Sequence, residues 1–392
     1  MEHIMNRRTF LQRAAALPGL AAAVSCGRPR AGSDSVVVVG AGIVGASIGY
    51  HLAKRGARVT ILEKDKPASG ATGTSFAYLN ASRKRPRPYY DLNLLGIDNW
   101  RRLQLEIGSD LKIQWGGGVE WHAPGDAADK LRDGLRSYQQ WGYPARHVDE
   151  AGLRRLLPNI APGPVGAAAF YEDEAGFDAV PAVDVLLRKA REFGATVKYP
   201  AEVTGLDVDG DRVRGVRTKS GDFEAGTIVL AAGLGTQQLA RLAEVNIPLG
   251  ESSGVLVYLP PQPALLGRVV FSPAGSFKQN PDGRIVSGGG AEGATPEATR
   301  AQGQKALENA AKYLPQLKGL TAERVAVGHR VLPRDGFPII GRSPKHENLY
   351  IAATHSGITL APIIGSLASL EILEGVSVDL LDPWRPARFA KG

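Results

Sequence analysis

The chain alternates short blocks of consecutive apolar residues with stretches of helical periodicity, the pattern of a parallel sheet covered on both faces. Val36-Val37-Val38-Val39, bounded by Gly40, reads as the first such strand. A helical stretch follows to about Arg55, Gly56 ends it, and residues 58–62 form a second apolar strand closing on Glu63. Strand, helix, strand in that order predicts a βαβ unit. Residues 201–217 alternate polar and apolar around Asp209-Gly210, a hairpin signal, and residues 227–233 are a further buried strand. Near the C-terminus, residues 349–353 read as a strand and Gly357 to about Leu373 as a helix.

These elements predict an α/β fold: a Rossmann-type nucleotide-binding domain assembled from discontinuous segments, beside an α+β substrate domain with a mixed or antiparallel sheet. The expected division is a leader and linker at 1–33, a nucleotide-binding domain from 34–85, 179–245 and 328–392, and a substrate-binding domain from 86–178 and 246–327. A length of 392 residues suits two domains. With 43% hydrophobic and 22% charged residues, the composition excludes a disordered chain.

A formal charge of +8 raises the question of nucleic acid. The one basic cluster, Arg83, Lys84, Arg85 and Arg87, is broken by prolines and reads as a solvated basic loop, so no nucleic-acid partner is expected. The single cysteine, Cys26, excludes a disulfide framework, and the seven histidines include no i,i+4 pair, so no metal site is expected.

The N-terminus carries an address. Asn6-Arg7-Arg8-Thr9-Phe10-Leu11 precedes an Ala/Leu-rich stretch too short to span a bilayer. Paired arginines before Phe-Leu resemble the twin-arginine export signal, which carries folded, cofactor-loaded proteins out of the cytoplasm; the bland reading is an amphipathic helix with a chance Arg-Arg. Cys26, after Ala23-Val24-Ser25, is either lipidated, anchoring the protein to the outer face of the cytoplasmic membrane, or lost by plain cleavage nearby. The expected location is periplasmic or otherwise extracytoplasmic.

The first strand runs into Gly40-Ala41-Gly42-Ile43-Val44-Gly45, a dinucleotide fingerprint, and Glu63 stands eighteen residues beyond Gly45, where an acid holding ribose hydroxyls is expected. Gly40 permits the tight turn, Gly42 lets amides approach a pyrophosphate, and Gly45 allows close helix packing, while the helix N-terminus favours phosphate charge. FAD and NAD fit this equally. The hydroxyl-rich segment from Ser69 through Gly70, Ala71, Thr72, Thr74, Ser75 and Phe76 to Ala77 favours FAD, because it offers partners for the remaining phosphate and ribityl oxygens. Lys64, Val203, Ala232 and Gly233 are further candidate cofactor contacts at the same strand ends.

With these motifs, the chain from about Ser35 to Leu373 resembles the D-amino-acid oxidase superfamily of FAD-dependent oxidoreductases. The segment Gly328-His329-Arg330-Val331-Leu332-Pro333-Arg334-Asp335-Gly336-Phe337-Pro338-Ile339-Ile340-Gly341 is similar to a family block, with Val331 where proline often stands. The resemblance implies that Arg330 binds a substrate carboxylate, a role suited to its planar fork; a structural salt bridge is the alternative. It implies that His355, Ser356, Gly357, Ile358, Thr359 and Leu360 wrap the flavin, with His355 facing it or capping the helix, and makes Tyr258 a candidate pocket wall or a core residue. The implied reaction is hydride transfer from a small amino acid or amine to flavin N5, giving an imine that hydrolyses. Sarcosine-oxidase relatives use a lysine near N5 to activate oxygen, and residues 284–289 lack one, so oxygen and a membrane acceptor both remain open as electron acceptors. No cysteine accompanies the Arg330 block, and FAD is expected to be non-covalent, with a histidyl link left open. A flavin-bearing electron-transfer subunit without amine chemistry is the competing reading.

Overall fold

The computed structural model describes residues 35–290 and 296–390, so the proposed export signal and Cys26 lie outside the described residues. The apolar run that opens the chain is strand β1 (Ser35–Val39), central in a six-stranded sheet. Its neighbours are β2 (Arg58–Leu62), β8 (Thr196–Lys198), β12 (Thr227–Leu230), β18 (Ile339–Arg342) and β19 (Leu349–Ala353), in the order β18-β19-β12-β1-β2-β8. All contacts are parallel except β18 with β19. Val36 and Val38 enter one apolar core and Val37 and Val39 another, which is why four consecutive valines are needed.

Helix α1 (Ile43–Lys54) follows β1. With α2 (Arg87–Ile107), α5 (Ala179–Glu192) and α8 (Gly357–Glu374) it forms the layer on the Val36/Val38 side: α1 packs on α5 and α8, and α8 on α2. Helix α2 was expected in the substrate domain; it packs on α8, and its Tyr89, Tyr90, Leu92, Ile97 and Trp100 join one apolar core with residues under both sheets. A ribbon of β9 (Val203–Asp209), β10 (Arg212–Thr218) and β11 (Gly221–Glu224), with short α6 (Gly235–Arg241), packs on the opposite side.

The C-terminal end of α8 is fixed by a buried ion pair. Glu371 accepts two bonds from Arg385 (2.9 and 2.6 Å), one from the Tyr350 hydroxyl (2.7 Å) and one from the Val378 N–H (2.8 Å). With every carboxylate lone pair used, removing the charge leaves Arg385 partly buried and unpaired. Glu371→Gln is expected to destabilise the fold by about 2 kcal/mol, measured by denaturant unfolding of the cofactor-loaded protein.

A second, eight-stranded mixed sheet has the order β17-β13-β16-β15-β14-β4-β6-β5. Its strands are β4 (Gly118–His122), β5 (Ala145–Val148), β6 (Ala167–Tyr171), β13 (Leu249–Tyr258), β14 (Val269–Ser272), β15 (Gly275–Gln279), β16 (Ile285–Gly290) and β17 (Arg324–Pro333). Helices α3 (Asp126–Gln140) and α4 (Glu150–Leu156) flank its β5 edge, and α7 (Pro296–Tyr313) covers the face bearing Val255, Val257, Phe277 and Ile285. The boundary expected at residue 328 falls inside β17, so Arg330 is presented by this sheet. The other face of the sheet meets residues 74–79, where β3 (Tyr78–Leu79) pairs with β7 (Ala175–Gly176).

Candidate functional site

The fingerprint turn is shaped by steric necessity at two glycines. Gly40 has φ +106°, and a Cβ there would stand 2.5 Å from the Ala231 carbonyl oxygen; a Cβ on Gly45 would stand 1.9 Å from the Gly40 oxygen. The ends of β1, β2, β12 and β19 thus converge with the start of α1, at the carboxyl edge where open α/β sheets bind ligands. Glu63 lies within reach: its carboxylate accepts the Ala41 N–H (2.9 Å) and the Asp65 N–H (3.1 Å). The Thr72 hydroxyl accepts the Ile43 N–H (3.1 Å), bringing the hydroxyl-rich segment to the helix N-terminus.

The C-terminal block closes on the same place. Gly357 abuts Val44, a Cβ there meeting the Val44 side chain at 3.2 Å. Thr359 Oγ1 donates to the Tyr78 carbonyl (3.3 Å) and accepts the Asn80 N–H (3.3 Å). Ala231 donates to Val39 (2.9 Å), placing Ala232 and Gly233 beside Gly40, and Ala201 donates to Glu63 (2.7 Å), placing Val203 near β2. Thr354 Oγ1, buried at the end of β19, has no protein partner. Gly70, Ala71 and Lys64 are exposed, and a Cβ on Gly70 would meet nothing within 4 Å.

Strand alternation puts Arg330, Ser252, Tyr258, Lys278, Phe271 and Glu120 on the face of the eight-stranded sheet that meets residues 74–79. Beside Arg330 this face is stripped of side chains: Gly328, Gly254 and Gly290 align across β17, β13 and β16, with Gly288 next along β16. A Cβ on Gly328 would lie 2.4 Å from the Thr74 oxygen, and one on Gly288 3.4 Å from the Phe76 ring. The bare strip lets residues 74–76 lie directly against the sheet beside Arg330.

Arg330 is exposed, donates to Ser252 Oγ (3.1 Å), and has no carboxylate partner among the described residues. It acts electrostatically on His355 together with Lys84. Lys84 Nζ donates to Ser356 Oγ (2.8 Å), which also accepts the Tyr89 hydroxyl (2.7 Å). Burial lowers Lys84 to about 8, with help from the Arg83 charge. Two cationic side chains, Lys84 and Arg330, therefore act at the start of α8, the environment of an anion site.

Burial, then the charges of Lys84 and Arg330, lower His355 to about 4. His355 is neutral at physiological pH. Because its folded value lies below the ordinary 6.5, the stability linked to it is complete above pH 6.5 and is lost as pH falls toward 4. His355→Asn is expected to flatten the acid side of the stability profile in that window and to leave the profile above pH 7 unchanged, as measured by thermal unfolding against pH.

Two expectations are refined by the geometry. Arg83, Arg85 and Arg87 of the basic cluster are exposed, as a solvated loop requires, yet each side chain has a partner. Lys84 points inward, Arg83 pairs with Glu120 (2.7 Å) and stacks on Phe271 (4.2 Å), and Arg85 and Arg87 lie over Trp141 at 5.2 and 5.6 Å. Aromatic faces supplied by α2, α3 and β14 dock these cations. Tyr258 does not wall the Arg330 region: six residues of β17 separate their rows, roughly 20 Å. It lines a different cavity, under the stacked Arg324. Lys84, Ser252 and Lys278 were missed. Lys278 left a signal as the only charged residue between positions 269 and 281. β16 carries no lysine, but its antiparallel neighbour β15 sets Lys278 opposite Val286.

Comparison with known proteins agrees with this arrangement. The model of a family described as FAD dependent oxidoreductase, DAO, matches residues 35–369. An uncharacterized oxidoreductase of Bacillus subtilis, YurR, is 28% identical over 376 residues, covering 90% of this chain and 98% of that protein. Glycine oxidase of Geobacillus kaustophilus is 27% identical over 351 residues, covering 85% and 91%. The crystal structure of glycine oxidase from that organism superposes with a TM-score of 0.81 at 23% identity, over 90% of this chain and 98% of the other, and shows the shared α/β fold.

Proposed function

Since the chain belongs to the DAO family of FAD-dependent oxidoreductases, we propose that it oxidises the C–N bond of a small amino acid whose carboxylate is held by Arg330. The observation that carries this reading is the unpaired guanidinium of Arg330 beside the bare glycine strip and the α8 N-terminus. Glycine oxidase, to which the chain is similar, acts on such a substrate by its name.

The residues present fit FAD. The α1 N-terminus and Gly42 would receive the pyrophosphate, Glu63 the ribose, and residues 70–77 the ribityl chain, with Thr354 Oγ1 as a free hydroxyl at the same edge. When bound, FAD supplies the acceptor for the two electrons and the hydrogen leaving the substrate α-carbon. Arg330, steadied by Ser252, fixes the substrate by a bidentate pair, so that orientation is imposed before any bond breaks. Lys84, Arg330 and the α8 N-terminus offer a positive field beside a neutral His355. The amine lone pair assists the departing hydrogen, and water completes hydrolysis of the resulting imine.

Non-covalent FAD, a small amino acid or amine substrate, and oxygen or a membrane component as final acceptor complete the reading. Expected products are a 2-oxo acid with ammonia or a primary amine from glycine, sarcosine or D-amino acids, and a ring-opened amino-2-oxo acid from cyclic imino acids, each read by hydrazone trapping. Failure to form any 2-oxo acid would overturn the amino acid assignment. Export by the twin-arginine route, with or without lipidation at Cys26, is proposed from Arg7 and Arg8; replacing both by Lys should retain the protein in the cytoplasm, and unchanged export would refute it.

A further inference from the structure

Behind the cofactor segment lies a compartment that the proposed reaction does not use. A cavity of about 520 Å³ is bounded by Thr72, Ser75 and Ala77 on one side and by Tyr258, Lys278 and Asn280 on the other. Arg330 and His355 are not among its lining residues.

Lys278 is 2% exposed. Its Nζ donates to the Ala77 carbonyl (3.3 Å) and to the Phe177 carbonyl, and lies 5.7 Å from the centre of the Phe76 ring. It thereby joins β15 to both β3-side and β7-side backbones of the segment expected to hold the ribityl chain. Two carbonyls use two of its three N–H groups. Asn280, 5% exposed, donates to Asp178 (3.4 Å) and keeps a buried Oδ1 without a protein partner, so the cavity has an acceptor suited to water.

The surroundings leave this ammonium under-compensated. Asp178 and Asp282 act on it only through space. Asp282 is already paired with Arg284 (2.7 Å), which also holds Glu323 (2.9 Å), and Arg324 lies over the Tyr258 ring at 3.8 Å. Burial lowers Lys278 to about 7, against the raising effect of the two aspartates. A group so placed gains or loses its proton with a small change in local charge.

We propose that Lys278 is a positioning residue whose protonation is coupled to the cofactor: it clamps the Ala77 and Phe177 carbonyls and takes one proton from the water-accessible cavity when the cofactor is reduced. The balance is simple. Two electrons and one proton reach the cofactor from the substrate, adding one negative charge, and a second proton from solvent forms an N–H bond on neutral Lys278. The proposal rests on FAD lying along residues 70–77, as above, and not on the amine chemistry.

The test reduces the FAD-loaded protein photochemically, without any amine, and measures its potential against pH. Between about pH 7.5 and 9.5, where oxidised-state Lys278 is mostly neutral, the wild-type protein is expected to take up two protons per two electrons. Lys278→Met should take up one throughout. Lys278→Arg should also take up one, because guanidinium stays charged, while keeping FAD as firmly as the wild type; FAD retention is read by ultrafiltration. Two protons in either variant, or one in the wild type, overturns the coupling. Lys278→Met holding FAD as tightly as the wild type overturns the clamp. If Lys278→Met does not fold, the proton count of Lys278→Arg decides alone.

Discussion

Arg330→Met lowers kcat/KM for amino acids by about 10²- to 10³-fold and leaves FAD bound. Removing one partner of a desolvated charge pair costs about 2–5 kcal/mol, and each 1.36 kcal/mol is tenfold in rate. The guanidinium is free for this work because its only side-chain partner among the described residues is the Ser252 hydroxyl. Methionine keeps the apolar stem and its packing on β13 but offers no donor. Arg330→Lys restores charge without the planar fork and should recover only part of the loss. The measurement is steady-state kinetics with one amino acid and with its decarboxylated amine. The amine, lacking the carboxylate, should be affected little by the substitution.

Gly45→Val yields a colourless protein. The Cβ would stand 1.9 Å from the Gly40 carbonyl oxygen, so either the turn or the α1 N-terminus must move. Overpacking of this kind costs about 1–3 kcal/mol or more, and here it falls on the amides that face the pyrophosphate, so FAD affinity should drop by about 100-fold or more. Gly42→Ala is milder, since its Cβ would meet only the Thr72 hydroxyl at 3.2 Å. FAD content per chain after gel filtration distinguishes the three proteins, with thermal unfolding as the check that Gly45→Val still folds.

The nucleotide half was legible in the sequence because its signals are local. Val36–Val39 shows both-face burial as a run, Gly40 and Gly45 mark a turn only glycine permits, and Glu63 lies at a fixed distance down one βαβ unit. The second sheet was less legible. Its β17–β13 pairing spans a long interval, so nothing local places Arg330 beside Ser252; Lys278 opposite Val286 follows from the β15–β16 hairpin, whose turn at Pro281-Asp282-Gly283 was not read. Tyr258 lines a cavity six residues along the strand from the row of Ser252 and Arg330, a placement that sequence position alone does not reveal. The basic cluster was legible as exposed, but not that aromatic rings from distant segments, Trp141 and Phe271, lie against its arginines or that Lys84 turns inward. Helix α2 packs on α8 and shares its core with both halves, which its apolar stripe alone does not say.

The central claim is that this FAD protein takes electrons from the C–N bond of an amino acid. Anaerobic titration of the FAD-loaded protein with primary and secondary amino acids, followed by the long-wavelength flavin absorbance, tests it most directly. Full bleaching by at least one of them, with one 2-oxo acid released per FAD, is the predicted result. An absorbance unmoved by every amino acid and amine, in a protein that a chemical reductant bleaches completely, would contradict it.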